Sequence, residues 1–316
     1  MPILGAHLSI AKGFHKAVER AAALGMETLQ VFTQSPSRWA VKPAMPAGKA
    51  SLRLGKSLTK NNNQGRAKPI LEAEAARFRS TLTELSVAHP IAHNSYLINL
   101  ASPDETLWRR SIEAMVVELR RAEQLGLTYV VTHPGASVES GEERGLKRVV
   151  AALDEIHAQT PGVDAQILLE TTAGQGSCLG HRFEHLATIL DQVESPERLG
   201  VCVDTCHVFA AGYPLGTPSQ YRATMKKLAT TVGLEKVRAF HLNDSKRELN
   251  SRVDRHEHIG KGRLGLEPFR HLLNDPRFQH VPMYLETPKG TLEGEDLDAI
   301  NLRTLRGLVE PEAGGC

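Results

Sequence analysis

Thr128-Tyr129-Val130-Val131-Thr132-His133, an amphipathic stretch over 143–159, and then Gln166-Ile167-Leu168-Leu169-Glu170-Thr171 spell one strand, one helix and a second strand. Two strands joined by a helical crossover run parallel. The same alternation fills the chain in both directions. Strands are expected at 2–7, 27–33, 90–94, 128–133, 166–171, 198–204, 237–243 and 281–286. Helices are expected at 12–24, 71–87, 104–125, 143–159, 181–193, 217–232, 265–274 and 295–308. Cap signals support several of them: Ser102-Pro103-Asp104-Glu105 opens the third helix and Gly126 closes it. Eight βα units are what a closed (β/α)8 TIM barrel requires. An open doubly wound sheet fits the same alternation, and the count and the 316-residue length favour the barrel. The whole chain, 1–316, is expected to form a single barrel domain.

One stretch breaks the rhythm. Residues 41–69 carry Lys42, Lys49, Arg53, Lys56, Lys60, Arg66 and Lys68 with no acidic residue, around Asn61-Asn62-Asn63-Gln64-Gly65. The position is a βα loop after the second strand, so its cations would project from the face that carries the other βα loops. Long loops of this kind are functional or disordered.

Composition excludes several classes. Hydrophobic residues are 41% and charged ones 23%, which excludes a disordered tail, a collagen-like repeat and a small disulfide scaffold. The net charge of +2 argues neither for nor against an anionic partner, so any basic patch must be local. With aromatics at 5%, a surface stacking many bases is not expected. Cys178, Cys202, Cys206 and Cys316 form no CxxC pair and read as reduced thiols. The N-terminus lacks a basic region ahead of an apolar stretch, and no apolar run approaches the roughly 20 residues of a membrane helix. The chain therefore reads as a soluble, cytoplasmic protein with no membrane partner, expected to be a monomer.

The chemistry-bearing residues fall at strand ends. His93 closes the third strand, His133 the fourth, Glu170 the fifth and Asp204 the sixth, with His207 one turn later. His241 ends the seventh, Asp254 and His256 lie in the loop beyond it, and Glu286 closes the eighth. In a parallel barrel these ends meet on one face, where active sites are built. A single His or Asp after a strand is ordinarily a loop cap. Nine on one face are different, because four carboxylates crowded together resist ionisation unless cations compensate. Five imidazoles beside them make divalent metal the simplest compensation, with zinc best suited and manganese or iron as substitutes. Nine ligands exceed what one tetrahedral site needs, so a multinuclear cluster is inferred. Paired metals activate water near neutral pH and stabilise both the attacking and leaving oxygens of a displacement at phosphorus. No GxGxxG or P-loop motif is present, so hydrolysis fits better than nucleotide-cofactor chemistry. A local cationic loop beside such a site suits a phosphodiester polymer.

At these residues the chain resembles the endonuclease IV family of abasic-site DNA repair enzymes. The resemblance covers roughly residues 3–290 and rests on Gly5-Ala6-His7-Leu8-Ser9, Ala92-His93-Asn94-Ser95-Tyr96-Leu97-Ile98-Asn99-Leu100, Glu170-Thr171-Thr172-Ala173-Gly174-Gln175-Gly176, Gly200-Val201-Cys202-Val203-Asp204-Thr205-Cys206-His207, and His241-Leu242-Asn243-Asp244-Ser245-Lys246 followed by Val253-Asp254-Arg255-His256. It implies a TIM barrel with three zinc ions that cleaves the phosphodiester 5′ to an abasic site in duplex DNA and leaves a 3′-hydroxyl, with a bridging hydroxide as nucleophile. It further implies that His93, His133 and Glu170 hold one zinc. Glu170 would bridge to a second, completed by Asp204, His241 and Glu286, and the third would take His207, Asp254 and His256. Glu170 and Glu286 would be the catalytic carboxylates, and His7 would support the cluster from behind. Arg38, Trp39, Tyr96 and Leu97 match the family's DNA-contacting loops, and Gly174, Gly176 and Ser177 could offer backbone donors to a phosphate. His15, His89, His157, His181, His185, His258, His271 and His280 read as surface residues or helix caps. The alternative is a metal-dependent sugar isomerase or epimerase on the same barrel. That reading needs Glu170, Asp204, His241 and Glu286 and leaves the five other ligands unexplained.

Overall fold

The computed structural model describes residues 2–37, 39 and 69–311. Arg38 and residues 41–68 of the basic segment lie outside the described residues. Along the chain come β1 (Leu4–Leu8), β2 (Thr28–Phe32), β3 (Ile91–His93), β4 (Tyr129–Thr132), β5 (Gln166–Glu170), β6 (Leu199–Asp204) and β7 (Val237–Leu242). A small hairpin of β8 (Asp244–Ser245) and β9 (His256–Glu257) intervenes before β10 (Met283–Leu285). β1 to β7 and β10 close into a parallel barrel: β10 pairs with β7 and β1, and β1 pairs with β2. An open sheet is excluded, and closure leaves no strand edge to guard. A second hairpin, β11 (Thr291–Leu292) with β12 (Glu295–Asp296), precedes the last helix.

Around the barrel lie α1 (Phe14–Ala23), α2 (Glu72–Glu84), α3 (Glu105–Leu125), α4 (Glu142–Gln159), α5 (Phe183–Gln192), the short α6 (Thr205–Ala210), α7 (Pro218–Thr231), α8 (Glu267–Leu273) and α9 (Leu297–Arg306). Local chemistry explains where several begin. The Asp104 side chain accepts from the Leu107 amide at the start of α3, and Gly126 ends that helix in the left-handed region at φ 70°. α7 carries a capping box between Thr217 and Gln220 with Pro218 at its first position. The apolar faces of the helices pack on the outer faces of the strands, through Leu29, Val130, Leu169, Val203 and Leu242 among others. Among the described residues no helix is long and apolar enough to cross a membrane.

The barrel interior determines the site. Side chains alternate across a strand, so every second residue points inward. Ile91, Val131, Leu168, Cys202, Ala239 and Tyr284 form a separate fully buried cluster at the centre of the barrel. Two residues further along the same strands stand His93, His133, Glu170, Asp204, His241 and Glu286. The apolar layer is thus a floor, and the period of two lifts each polar residue into the layer above it. β1 repeats the pattern with Gly5 below His7. A Cβ at Gly5 would lie 2.2 Å from the Thr28 carbonyl oxygen, so β1 can approach β2 only with glycine there.

Candidate metal centre

All nine candidate ligands meet in the mouth of the barrel. His93, His133 and Glu170 bring donor atoms within 4.8 Å of one another, as do Glu170, Asp204, His241 and Glu286, and as do His207, Asp254 and His256. Glu170 is fully buried at the centre. One of its oxygens lies 3.1 Å from both His93 Nε2 and His133 Nε2, and the other lies 2.9 Å from His241 Nδ1 and 3.2 Å from His207 Nδ1. Glu286 Oε2 lies 3.2 Å from His241 Nδ1. Asp254 stands at the rim, its carboxylate 3.2 Å from His207 Nε2 and 3.3 Å from His256 Nε2.

Local structure delivers the residues that do not end a barrel strand. Asp204 caps α6 by accepting from the His207 amide at 2.8 Å, which places His207 one turn above it. The β8–β9 hairpin returns His256 over the mouth. Its root is held by buried Asp244, which accepts from the amides of Ser245, Gly262 and Leu264.

The outward ring nitrogens decide what the inward ones can do. His93 Nδ1 lies 3.0 Å from the Asn94 carbonyl, His207 Nδ1 2.8 Å from the Thr171 carbonyl, and His256 Nδ1 3.3 Å from the Glu286 carbonyl. A carbonyl oxygen only accepts, so these nitrogens carry the proton and Nε2 keeps its lone pair in the neutral ring. Those lone pairs point at carboxylate oxygens, and His207 Nε2 also faces His256 Nε2 at 3.4 Å. Acceptors opposed at such distances repel unless a cation stands between them. This arrangement fits a metal site, in which a ligating histidine donates its far nitrogen to a carbonyl or carboxylate.

The same groups shift one another's proton affinity. Burial alone would push Glu170 up, but the imidazoles of His241 and His133 outweigh it and hold its carboxyl well below the usual range. For Glu286, His241 and His7 outweigh burial in the same way. Burial would lower His207, yet Asp204 and Asp254 raise it well above 6.5.

His7 sits behind the cluster, with Nδ1 3.4 Å from Glu286 Oε1. Tyr96 is 70% exposed at the rim, edge-on to Phe32 at 5.4 Å, and Leu97 beside it is half-buried. Phe32, Tyr96, Arg255, Pro288 and Lys289 join six of the nine ligand residues in lining a cavity of about 510 Å³. Trp39 is half-buried against the core with the Arg110 guanidinium 4.1 Å above its ring.

Reasoning from sequence missed three side chains here. Gln30 lies between His241 and Glu286, 2.8 Å from His241 Nε2 and 2.5 Å from Glu286 Oε1. Asn243 donates to Asp204 Oδ2 and accepts from the Glu286 amide. The Thr171 hydroxyl accepts from the Asp204 amide. Gln30 had a visible signal: Thr28 and Gln30 put two polar residues on the inward face of an otherwise apolar strand.

Three other histidines were expected at the surface or as caps and are buried instead: His157, His181 and His185. His181 and His185 gather with Glu142 into a further group of ligand-type residues away from the mouth. There the cation is already present, because Arg182 donates to Glu142 Oε2 at 2.6 Å. His185 Nδ1 accepts from the Gly180 amide and its Nε2 faces the Arg182 Nε–H at 3.0 Å, so both ring nitrogens are already engaged by donors. Among the described residues Cys178, Cys202 and Cys206 are free thiols.

The closed barrel and the polar layer at its C-terminal mouth define a xylose isomerase-like TIM barrel, and residues 18–308 match that family's model. A probable endonuclease 4 from Chloroflexus aggregans is 47% identical over 309 residues, covering 98% of each chain. One from Citrifermentans bemidjiense is 43% identical over 310 residues, covering 98% of this chain and 100% of the relative. The crystal structure of endonuclease IV from Thermus thermophilus superposes with a TM-score of 0.78 at 35% identity, covering 97% of this chain and 98% of that one. The chain belongs to the endonuclease IV family and is a hydrolase of the endonuclease class. A D-tagatose 3-epimerase-like protein, 17% identical with a TM-score of 0.66, shares the fold alone.

Proposed function

We propose that this chain is a zinc-dependent endodeoxyribonuclease of base excision repair, which hydrolyses the phosphodiester 5′ to an abasic site in duplex DNA and leaves a 3′-hydroxyl. The observation that carries the reading is the surplus of directed donors. Five imidazoles and four carboxylates converge, more than one tetrahedral ion takes. His93, His133 and Glu170 would hold one zinc, Glu170, Asp204, His241 and Glu286 a second, and His207, Asp254 and His256 a third. Manganese or iron(II) suits the same donors. Bound zinc supplies Lewis acidity and an acidified water.

The chain's own residues do the rest. Glu170 directs one oxygen toward each half of the mouth and is suited to be shared between ions. Glu286, backed by His7, is the second catalytic carboxylate. Tyr96 and Leu97 at the rim are suited to wedge beside the unpaired position, where extrusion costs least because pairing is already lost. Arg38 and Trp39 would contact the DNA beside them, and the cations of 41–69 its phosphate backbone. The enzyme works inside the cell as a single-domain monomer without a nucleotide cofactor. A sugar epimerase would use Glu170, Asp204, His241 and Glu286 and leave five directed ligands idle.

The test is incision of a duplex carrying one abasic analogue. Zinc-loaded protein should cut 5′ to the analogue, lose the activity after chelator treatment and regain it with zinc. Intact duplex in the presence of fully loaded protein would overturn the proposal.

A further inference from the structure

Strand β2 gives no ligand to the mouth, yet its central inward residue touches two of them. Gln30 is fully buried, opposite His7 in the β1–β2 register. Its amide nitrogen lies 2.5 Å from Glu286 Oε1 and 2.9 Å from His7 Nδ1, and its amide oxygen lies 2.8 Å from His241 Nε2. The orientation of that amide is not a free choice. A carboxylate oxygen only accepts, so the NH2 end must face Glu286 and the carbonyl end must face His241. In the neutral ring His241 Nε2 therefore carries the proton, and Nδ1 keeps the lone pair. Nδ1 is the nitrogen that lies 2.9 Å from Glu170 and 3.2 Å from Glu286 Oε2. The same amide engages Oε1 of Glu286 and leaves Oε2 on the side of His241 Nδ1.

We infer that Gln30 is a positioning residue for the metal centre, setting the tautomer of His241 and selecting the ligating oxygen of Glu286 through a single amide. The inference rests on the proposed metal reading. It adds a residue from outside the ligand set and explains why His241 differs from its neighbours. His93, His207 and His256 are oriented through Nδ1 by backbone carbonyls, whereas His241 is oriented through Nε2 by a side chain. A side chain, unlike a backbone carbonyl, can be replaced. Loss of such a partner lowers metal affinity about 10–100-fold.

The experiment uses the full-length protein and Gln30→Met, which keeps the side chain's length and removes both hydrogen-bonding ends. Zinc is titrated against a chelator of known affinity, with melting temperature measured in parallel. One zinc equivalent of Gln30→Met should bind about 10–100-fold more weakly than in the native protein, with the remaining equivalents unchanged. A folded variant whose every equivalent binds as in the native protein overturns the inference, even if its melting temperature falls, because a merely structural amide would do that. A second measurement decides the matter if the variant does not fold. In native protein labelled with 15N-histidine and loaded with zinc, His241 should show a proton on Nε2 and the metal-shifted resonance on Nδ1; the reverse assignment overturns the inference. Native protein that retains no zinc at all removes the metal reading itself, an outcome visible before any variant is made.

Discussion

Zinc loading of this barrel should release protons, and two of the rings that supply them are His207 and His241. In the metal-free chain His207 Nε2 lies 3.2 Å from Asp254, and His241 Nδ1 lies between Glu170 and Glu286. Burial alone would lower both rings. Asp204 and Asp254 overcome it for His207, and Cys202, Glu286 and Glu170 overcome it for His241, so both stand well above 6.5. At neutral pH each ring then holds a proton on the nitrogen a metal would need. The carboxylates of Glu170 and Glu286 are held well below 4.5 and have no proton to lose in this range. The sign follows: acid favours the protonated, metal-free form, and affinity rises with pH until the raised histidine values are passed. Two displaced protons make the combined loading constant of the His207 and His241 sites climb by about 2 log units per pH unit, or about 2.7 kcal/mol. Chelator competition between pH 6 and pH 7, corrected for the chelator's own protonation, measures the slope. A slope near zero would show both nitrogens bare before metal arrives and would refute the reasoning.

Glu286→Gln keeps volume and removes charge and ligation, so it should cut incision of abasic duplex by at least about 1000-fold, on the order expected for loss of a metal-polarised site, while circular dichroism stays native. Near-normal turnover would show that Glu286 has another role. Tyr96→Ala should weaken binding to abasic duplex by about 1–3 kcal/mol, the worth of one base-stacking aromatic, and leave zinc content untouched; equal binding by native and variant protein in a filter assay would remove Tyr96 from the interface. Deleting residues 45–66 removes Lys49, Arg53, Lys56, Lys60 and Arg66, and should flatten the dependence of DNA affinity on log salt. An unchanged slope would mean that those cations touch no phosphate.

The barrel was legible because its strands are short apolar runs with a polar residue at the end. Gln166–Glu170 and Leu199–Asp204 each lie within one residue of their expected limits at both ends. The β8–β9 hairpin was not legible, since two-residue strands carry no periodicity and its root depends on Asp244 binding amides up to 20 residues away. The nine mouth residues stood out by their position at or past strand ends. Their supporting partners did not, because the Thr171 carbonyl or the Asn243 amide becomes a partner only when strands far apart in the chain are laid side by side. The buried histidines show the same restriction. His185 reads as an ordinary helix residue until α4 brings Glu142 against it from 43 residues away. Trp39, expected among the DNA contacts, stacks beneath Arg110, a pairing with no local signature.

The most direct measurement is the metal content of the purified protein, taken by elemental analysis after exhaustive dialysis against metal-free buffer at pH 8. The converging donors predict more than two zinc equivalents per chain, approaching three. One equivalent or fewer would mean that these side chains do not act as a single multinuclear cage, and would contradict the account at its root.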